Sequence, residues 1–157
     1  VVVKLRGPDD PMVELTAITD NGDMGMIGDT VNGTSVQVTA HVTGGHTRGC
    51  TSWSFPVSDG GRELLAVDIC SLTLNTLVPE AYPGVRSDFE RSFRVLRSLS
   101  ADIFLASHAD MFSMQRKLRE RADARNAVDP FIDRAGYLSF IDRAEDRFRR
   151  MLADQQR

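Results

Sequence analysis

The apolar positions along the chain change period near its middle. From Ser35 to His41 they alternate. Val36, Val38 and Ala40 fall on one face and Gln37 and Thr39 on the other, the pattern of a half-buried strand. Cys50–Val57, with Trp53 and Phe55, reads as a second strand. Leu64–Cys70 is apolar nearly throughout and reads as a third, central one. Asn32-Gly33 and Ser58-Asp59-Gly60-Gly61 supply hairpin turns. Beyond these the spacing turns helical. Phe89, Phe93, Leu96 and Leu99 share a face over Arg86–Leu99. A short strand is expected at Asp102–Leu105, then a charged amphipathic helix over Met111–Arg125, ended by Asp129-Pro130. Asp133 is placed to cap a last helix running to about Gln155. The apolar stripe of that helix is Tyr137, Phe140, Ile141, Ala144, Phe148, Met151 and Leu152. Strands first, then helices with one strand between them, predict an α+β or layered α/β arrangement in one domain over residues 1–157.

Residues 1–30 stay unassigned. Val1–Leu5 has the character of a strand and Gly7-Pro8-Asp9-Asp10-Pro11 that of a turn. Asp20 to Asp29 is loop-like. Its glycines, Gly22, Gly25 and Gly28, do not have the spacing of a dinucleotide fingerprint, and no helix pattern follows them. The chain opens without an initiator Met, a basic segment or an apolar leader core. The expectation is a removed leader or a start inside a longer protein.

Composition narrows the function classes. A net charge of −3 argues against a basic nucleic-acid surface. No run of 18 apolar residues is present to make a membrane-spanning helix. Cys50 and Cys70 suffice for one bridge or two buried thiols. There is no G-x-S-x-G elbow, no Walker loop and no C-x-x-C pair. The three histidines are His41, His46 and His108. His46 lies in a glycine-rich loop after a strand, and His108 in the loop after the strand ending at Leu105. Loops at strand ends aim side chains into a site on a rigid scaffold, and imidazole is the commonest metal ligand. His41 ends a strand in a register opposed to its apolar positions and reads as structural.

The segment from Thr39 to Trp53 carries a resemblance. A strand, then Thr43-Gly44-Gly45-His46-Thr47, then a Trp-bearing strand is similar to the second zinc-ligand motif of metallo-β-lactamase-fold hydrolases. It resembles the subclass B3 metallo-β-lactamases in particular. Cys70-Ser71-Leu72-Thr73, Tyr82-Pro83-Gly84, the strand and loop from Asp102 to His108, and Asp129 to Tyr137 with the helix after it resemble the blocks that follow, in the same order. The likeness runs over about residues 31–155 and implies the C-terminal half of an αββα sandwich.

That resemblance implies zinc as cofactor, two ions in the complete fold. It implies His46 as a ligand of the three-histidine site and His108 as a ligand of the second site. It places Ser71 and Thr73 near the substrate carboxylate, and Cys50 and Cys70 at positions bridged in some members. A bridge fits a periplasmic or secreted protein. The implied activity is zinc-dependent β-lactam hydrolysis, with antibiotic resistance as its consequence. The family's His-x-His-x-Asp-His hallmark is absent from the chain, so only one ligand to each metal is expected from it. Three functions follow from this. The chain is the C-terminal part of such a β-lactamase, or the same part of a lactone, thioester or phosphoester hydrolase, or an inactive half-fold. Its partners are a small β-lactam and either the missing N-terminal half or a second copy, with neither nucleic acid nor membrane.

Overall fold

The computed structural model describes the backbone of residues 2–5, 13–16, 25–31 and 34–37, and both backbone and side chains of 38–74, 77 and 80–154. Among these residues two sheets form. β1 (Val2–Leu5) pairs antiparallel with β2 (Val13–Thr16). The larger sheet holds β3 (Gly25–Val31), β4 (Thr34–Val42), β5 (Thr51–Asp59), β6 (Arg62–Ile69) and β7 (Ile103–Ala106), side by side in that order. β3 to β6 are antiparallel neighbours, and β7 joins β6 in parallel. A parallel neighbour needs a crossover, and α1 (Val85–Ser98) provides it. α2 (Met114–Asp123), a single 3₁₀ turn at Asp129–Phe131 and α3 (Arg134–Asp154) complete the described chain.

The strand pattern places the core. Val67 and Ile69 of β6 and Phe104 of β7 point to the helix side and meet Val85, Phe89, Phe93 and Leu96 of α1. All seven residues of the expected α3 stripe lie in or against this cluster. Phe89, Phe93 and Phe148 stack with ring centroids 5.6–6.0 Å apart, offset and tilted as ring quadrupoles favour. The Tyr137 hydroxyl donates to the Leu96 carbonyl at 2.6 Å, which satisfies the one polar atom this helix carries inward. Burial pushes that phenol above its ordinary range.

Two buried charges set the join between sheet and α3. The Asp102 carboxylate accepts the Leu65 N–H at 2.8 Å and the Arg134 Nε–H at 2.6 Å. The Leu65 N–H, then Arg134, hold it below the usual carboxylate range against the pull of burial. Asp133 caps α3 by accepting the Gly136 N–H at 2.8 Å, as its position foretold. Burial raises this carboxyl, but Lys117, the Gly136 N–H and Arg116 outweigh it and leave it low. Lys117 is completely buried, 3.0 Å from Asp133 and 4.8 Å from the centre of the Phe104 ring.

Several expectations need adjustment. The α2 helix begins at Met114 rather than Met111, because Met111 and Ser113 close turns onto His108 and Asp110. The loop-like reading of residues 20–29 holds nowhere from Gly25 on. Those residues form β3, in register with β4 from Gly25↔Ala40 to Val31↔Thr34. Gly25, Gly28 and Asp29 have poor strand propensity, and pairing with a strong neighbour overrides it. Asp20 to Met24, the turn cluster at Gly7–Pro11 and the turn at Asn32-Gly33 lie outside the described residues.

Candidate functional site

Strand direction gathers the candidate residues. β4 and β6 both run antiparallel to β5, and β7 runs parallel to β6. The chain therefore leaves β4, β6 and β7 at the same edge of the sheet. His46 follows β4, Ser71 and Thr73 follow β6, and His108 follows β7. Cys50, at the entry to β5, lies at that edge too.

These loops are tied to one another. Cys50 and Cys70 form a disulfide with Cα atoms 5.8 Å apart. The Cys70 N–H donates to Ser52 Oγ at 3.2 Å, and the Ser107 hydroxyl donates to the Cys70 carbonyl. His46 Nδ1 lies 3.0 Å from the Thr73 carbonyl oxygen. A carbonyl only accepts, so Nδ1 carries a proton, and in the neutral ring the lone pair is on Nε2. A histidine that ligates a metal is commonly fixed in this way, its other nitrogen donating to a carbonyl.

The His46 loop owes its shape to α1. Ser92 reaches out of the helix to donate to the Gly44 carbonyl at 2.7 Å. Gly45 has φ +141° and lies so close to Phe89 that a Cβ there would meet the ring at 2.6 Å. Only glycine meets both demands. Tyr82 donates to Asp88 at 2.9 Å, and Arg48 stacks over the Tyr82 ring at 5.4 Å. Burial, then Asp88, pushes the Tyr82 phenol up to about 12.

Below the loop runs a strip of polar side chains facing the helices. Thr43 and Ser52 hydroxyls are 2.7 Å apart, and His41 Nε2 is 2.8 Å from Ser54 Oγ. His41 is buried, which lowers its pKa, and its Nδ1 has no hydrogen-bond partner among the described residues. Its placement agrees with a structural part.

Of the four residues singled out in the sequence, the structure brings His46 and Thr73 into contact. Ser71 is buried, and its Oγ accepts the Thr73 N–H at 3.2 Å, so it shapes the turn that presents Thr73. Thr73 and His108 are exposed. Among the described residues no three His, Cys, Asp or Glu side chains are placed to hold one metal ion. A catalytic zinc takes three protein ligands, so the described residues alone do not make a complete zinc site. Sequence reasoning missed Ser92 and Phe89 as supports of the His46 loop. The signal was present: Ser92 sits at a core position of the α1 stripe, between Phe89 and Leu96.

No protein-family model matches the chain. Solved structures do. The native FEZ-1 metallo-beta-lactamase from Legionella gormanii is 36% identical, with a TM-score of 0.74 over 82% of this chain and 49% of that one. BJP-1, a subclass B3 metallo-beta-lactamase of Bradyrhizobium japonicum, is 30% identical, with a TM-score of 0.74 over 88% and 50%. A metallo-beta-lactamase from Cronobacter sakazakii is 27% identical, with a TM-score of 0.70 over 87% and 52%. The chain thus spans about half the length of each, and the matched part is the C-terminal half.

Proposed function

We propose that this chain, which has the fold of the C-terminal half of a subclass B3 metallo-β-lactamase, supplies one half of a zinc-dependent site that hydrolyses β-lactams. The observation that carries the reading is the His46 Nδ1–Thr73 carbonyl bond, which gives a strand-end histidine the tautomer a metal ligand needs. His46 and His108 are the donors this half contributes, and the remaining ligands come from outside the described residues. Zinc, when bound, supplies an acidified water and Lewis-acid stabilisation of the oxyanion. The chain's own part is positional. α1 and the disulfide hold the His46 loop, the Ser71 turn presents the Thr73 hydroxyl toward a substrate carboxylate, and Ser107 ties the His108 loop to Cys70. The bridge supports a periplasmic or secreted setting. Among the described residues no helix is long and apolar enough to cross a membrane.

The test is a chimera joining the N-terminal half of the Legionella gormanii enzyme to this chain. It should bind zinc and open a chromogenic cephalosporin, and His46→Ala and His108→Ala should each abolish turnover. A folded, zinc-loaded chimera that cleaves lactones or thioesters but no β-lactam would move the assignment to another hydrolase of the same fold. One specific observation favours a second reading for the chain by itself. Among its described residues no three-ligand group is found, so the isolated half is expected to turn over no substrate until further ligands are supplied.

A further inference from the structure

We infer that Lys117 is a positioning residue for His108: its buried ammonium clasps together the two ends of the loop that carries this histidine. The inference rests on His108 being one of the donors proposed above. His108 stands four residues after Phe104 of β7 and four before Phe112. Those two rings meet edge to face, with centroids 6.3 Å apart and planes at 70°. Lys117, in the first turn of α2, brings its Nζ to 4.8 Å from the Phe104 centroid and 5.9 Å from that of Phe112. Asp133, next to the start of α3, holds the same ammonium at 3.0 Å. One cation thus ties together β7, the far end of the loop, α2 and the beginning of α3.

The loop between the rings closes on its own backbone. The N–H groups of Met111, Ser113 and Met114 donate to the carbonyls of His108, Asp110 and Ala109 at 3.1, 3.2 and 2.9 Å. This closure puts Ser113 at φ +57° and ψ +38°, the left-handed region. Among the described residues it is the one position other than glycine with positive φ. Its side chain makes no capping bond to α2 in return. A turn of this kind persists only where surrounding contacts over-determine it. The contacts here are Phe112 on Phe104 and Lys117 on both. The Lys117 side chain is fully buried, and an ammonium out of water is drawn to ring faces more strongly than an exposed one. Asp133 does not depend on Lys117 alone, because it also accepts the Gly136 N–H at 2.8 Å and has Arg116 at 3.7 Å. Removing the lysine charge therefore loosens the loop without stranding a carboxylate.

Amide hydrogen exchange of the chain as it is tests the clasp. Lys117→Leu keeps an apolar side chain and removes the cation. Exchange at Met111, Ser113 and Met114 should quicken by about tenfold, while core amides of α1 and β6 keep their rates. Phe112→Leu, which removes one ring face, should quicken the same amides by about fivefold and carries the test if Lys117→Leu does not fold. Adding Ser113→Gly to Lys117→Leu relieves the turn and should win back about threefold of the protection. Loop rates left unchanged in the folded variants, or rates raised equally throughout the chain, would overturn the inference. The chimera with the Legionella gormanii N-terminal half then reads the effect on His108. Under a chelator, Lys117→Leu should release one of two zinc ions while the other stays bound, as His108→Ala does. If His108→Ala loses that ion and folded Lys117→Leu keeps it, the positioning role falls and the ligand role stands. If neither variant loses it, the ligand role falls and the positioning role with it.

Discussion

At the scale of single residues, two positions carry more consequence than their size suggests. Gly45 has a backbone conformation side chains rarely adopt, and its missing side chain is where the Phe89 ring packs. Gly45→Ala should cost roughly 2–4 kcal/mol in urea unfolding, from strain and overpacking together. A cost below about 0.5 kcal/mol would show that the loop and ring are not in this contact. His41 is the second. Burial depresses its folded pKa below 6.5, so the unfolded chain takes up the proton first. Stability is therefore full above the unfolded value and falls as pH drops through it toward the folded one. A single proton limits the slope to about 1.4 kcal/mol per pH unit. Melting curves between pH 7.5 and 5 should show this loss, and His41→Gln should flatten it. The low-pKa carboxylates Asp102 and Asp133 lose their contribution in a separate, more acid window.

At the scale of elements, the disulfide fixes where β5 begins relative to where β6 ends. It closes a segment of 20 residues in sequence separation, which corresponds to about 3 kcal/mol on the chain-entropy view. Replacing both cysteines by Ala should lower stability by about 2–4 kcal/mol and broaden the amide signals of the His46 and Ser71 loops. Unchanged signals would mean that hydrogen bonds alone hold those loops. Elements are also the level at which the sequence was most readable. β4 to β6, α1 and α3 declared themselves because one period runs through each, and the α3 stripe is in the core residue for residue. β3 was not readable, because its two glycines and aspartate acquire strand geometry only from β4 across the sheet. The site was half legible. The histidines stood at strand ends in the sequence. What holds the His46 loop, a serine from α1 and a carbonyl from the β6 loop, joins positions 48 and 27 residues apart. No local pattern encodes such contacts.

At the scale of the whole molecule, the sheet explains both what the chain offers and what it lacks. Helices cover one face. On the other, register sets Ala40, Trp53, Phe55, Val57, Leu64 and Ala66 side by side, with Trp53, Phe55, Val57 and Leu64 half-buried. Of the three loops gathered at one end of the strands, those after β4 and β7 carry one histidine each, His46 and His108. Isolated chain should accordingly take up zinc weakly and leave a chromogenic cephalosporin intact. Elemental analysis of the purified protein, beside a turnover assay on the same sample, checks this. Two tightly held zinc ions with turnover would mean that the missing ligands come from residues outside those described or from a second copy.

The Cys50–Cys70 link also has a bearing on the order of events. Its two cysteines flank one hairpin, Cys50 just before β5 and Cys70 just after β6, the strands being joined through Gly60-Gly61. The strands pair from Asp59↔Arg62 up to Trp53↔Asp68, so zipping the hairpin alone brings the cysteines together. α1, β7 and α3 are not needed for that step. Oxidation can be complete while the C-terminal helices are still being synthesised or are undocked. The edge that bears His46 and Thr73 would then be cross-linked before the core behind it closes. A peptide spanning residues 50–70 should by the same reasoning close its bridge faster than a peptide of the same composition with the residues between the cysteines scrambled, and equal rates would show that hairpin pairing does not bring the sulfurs together.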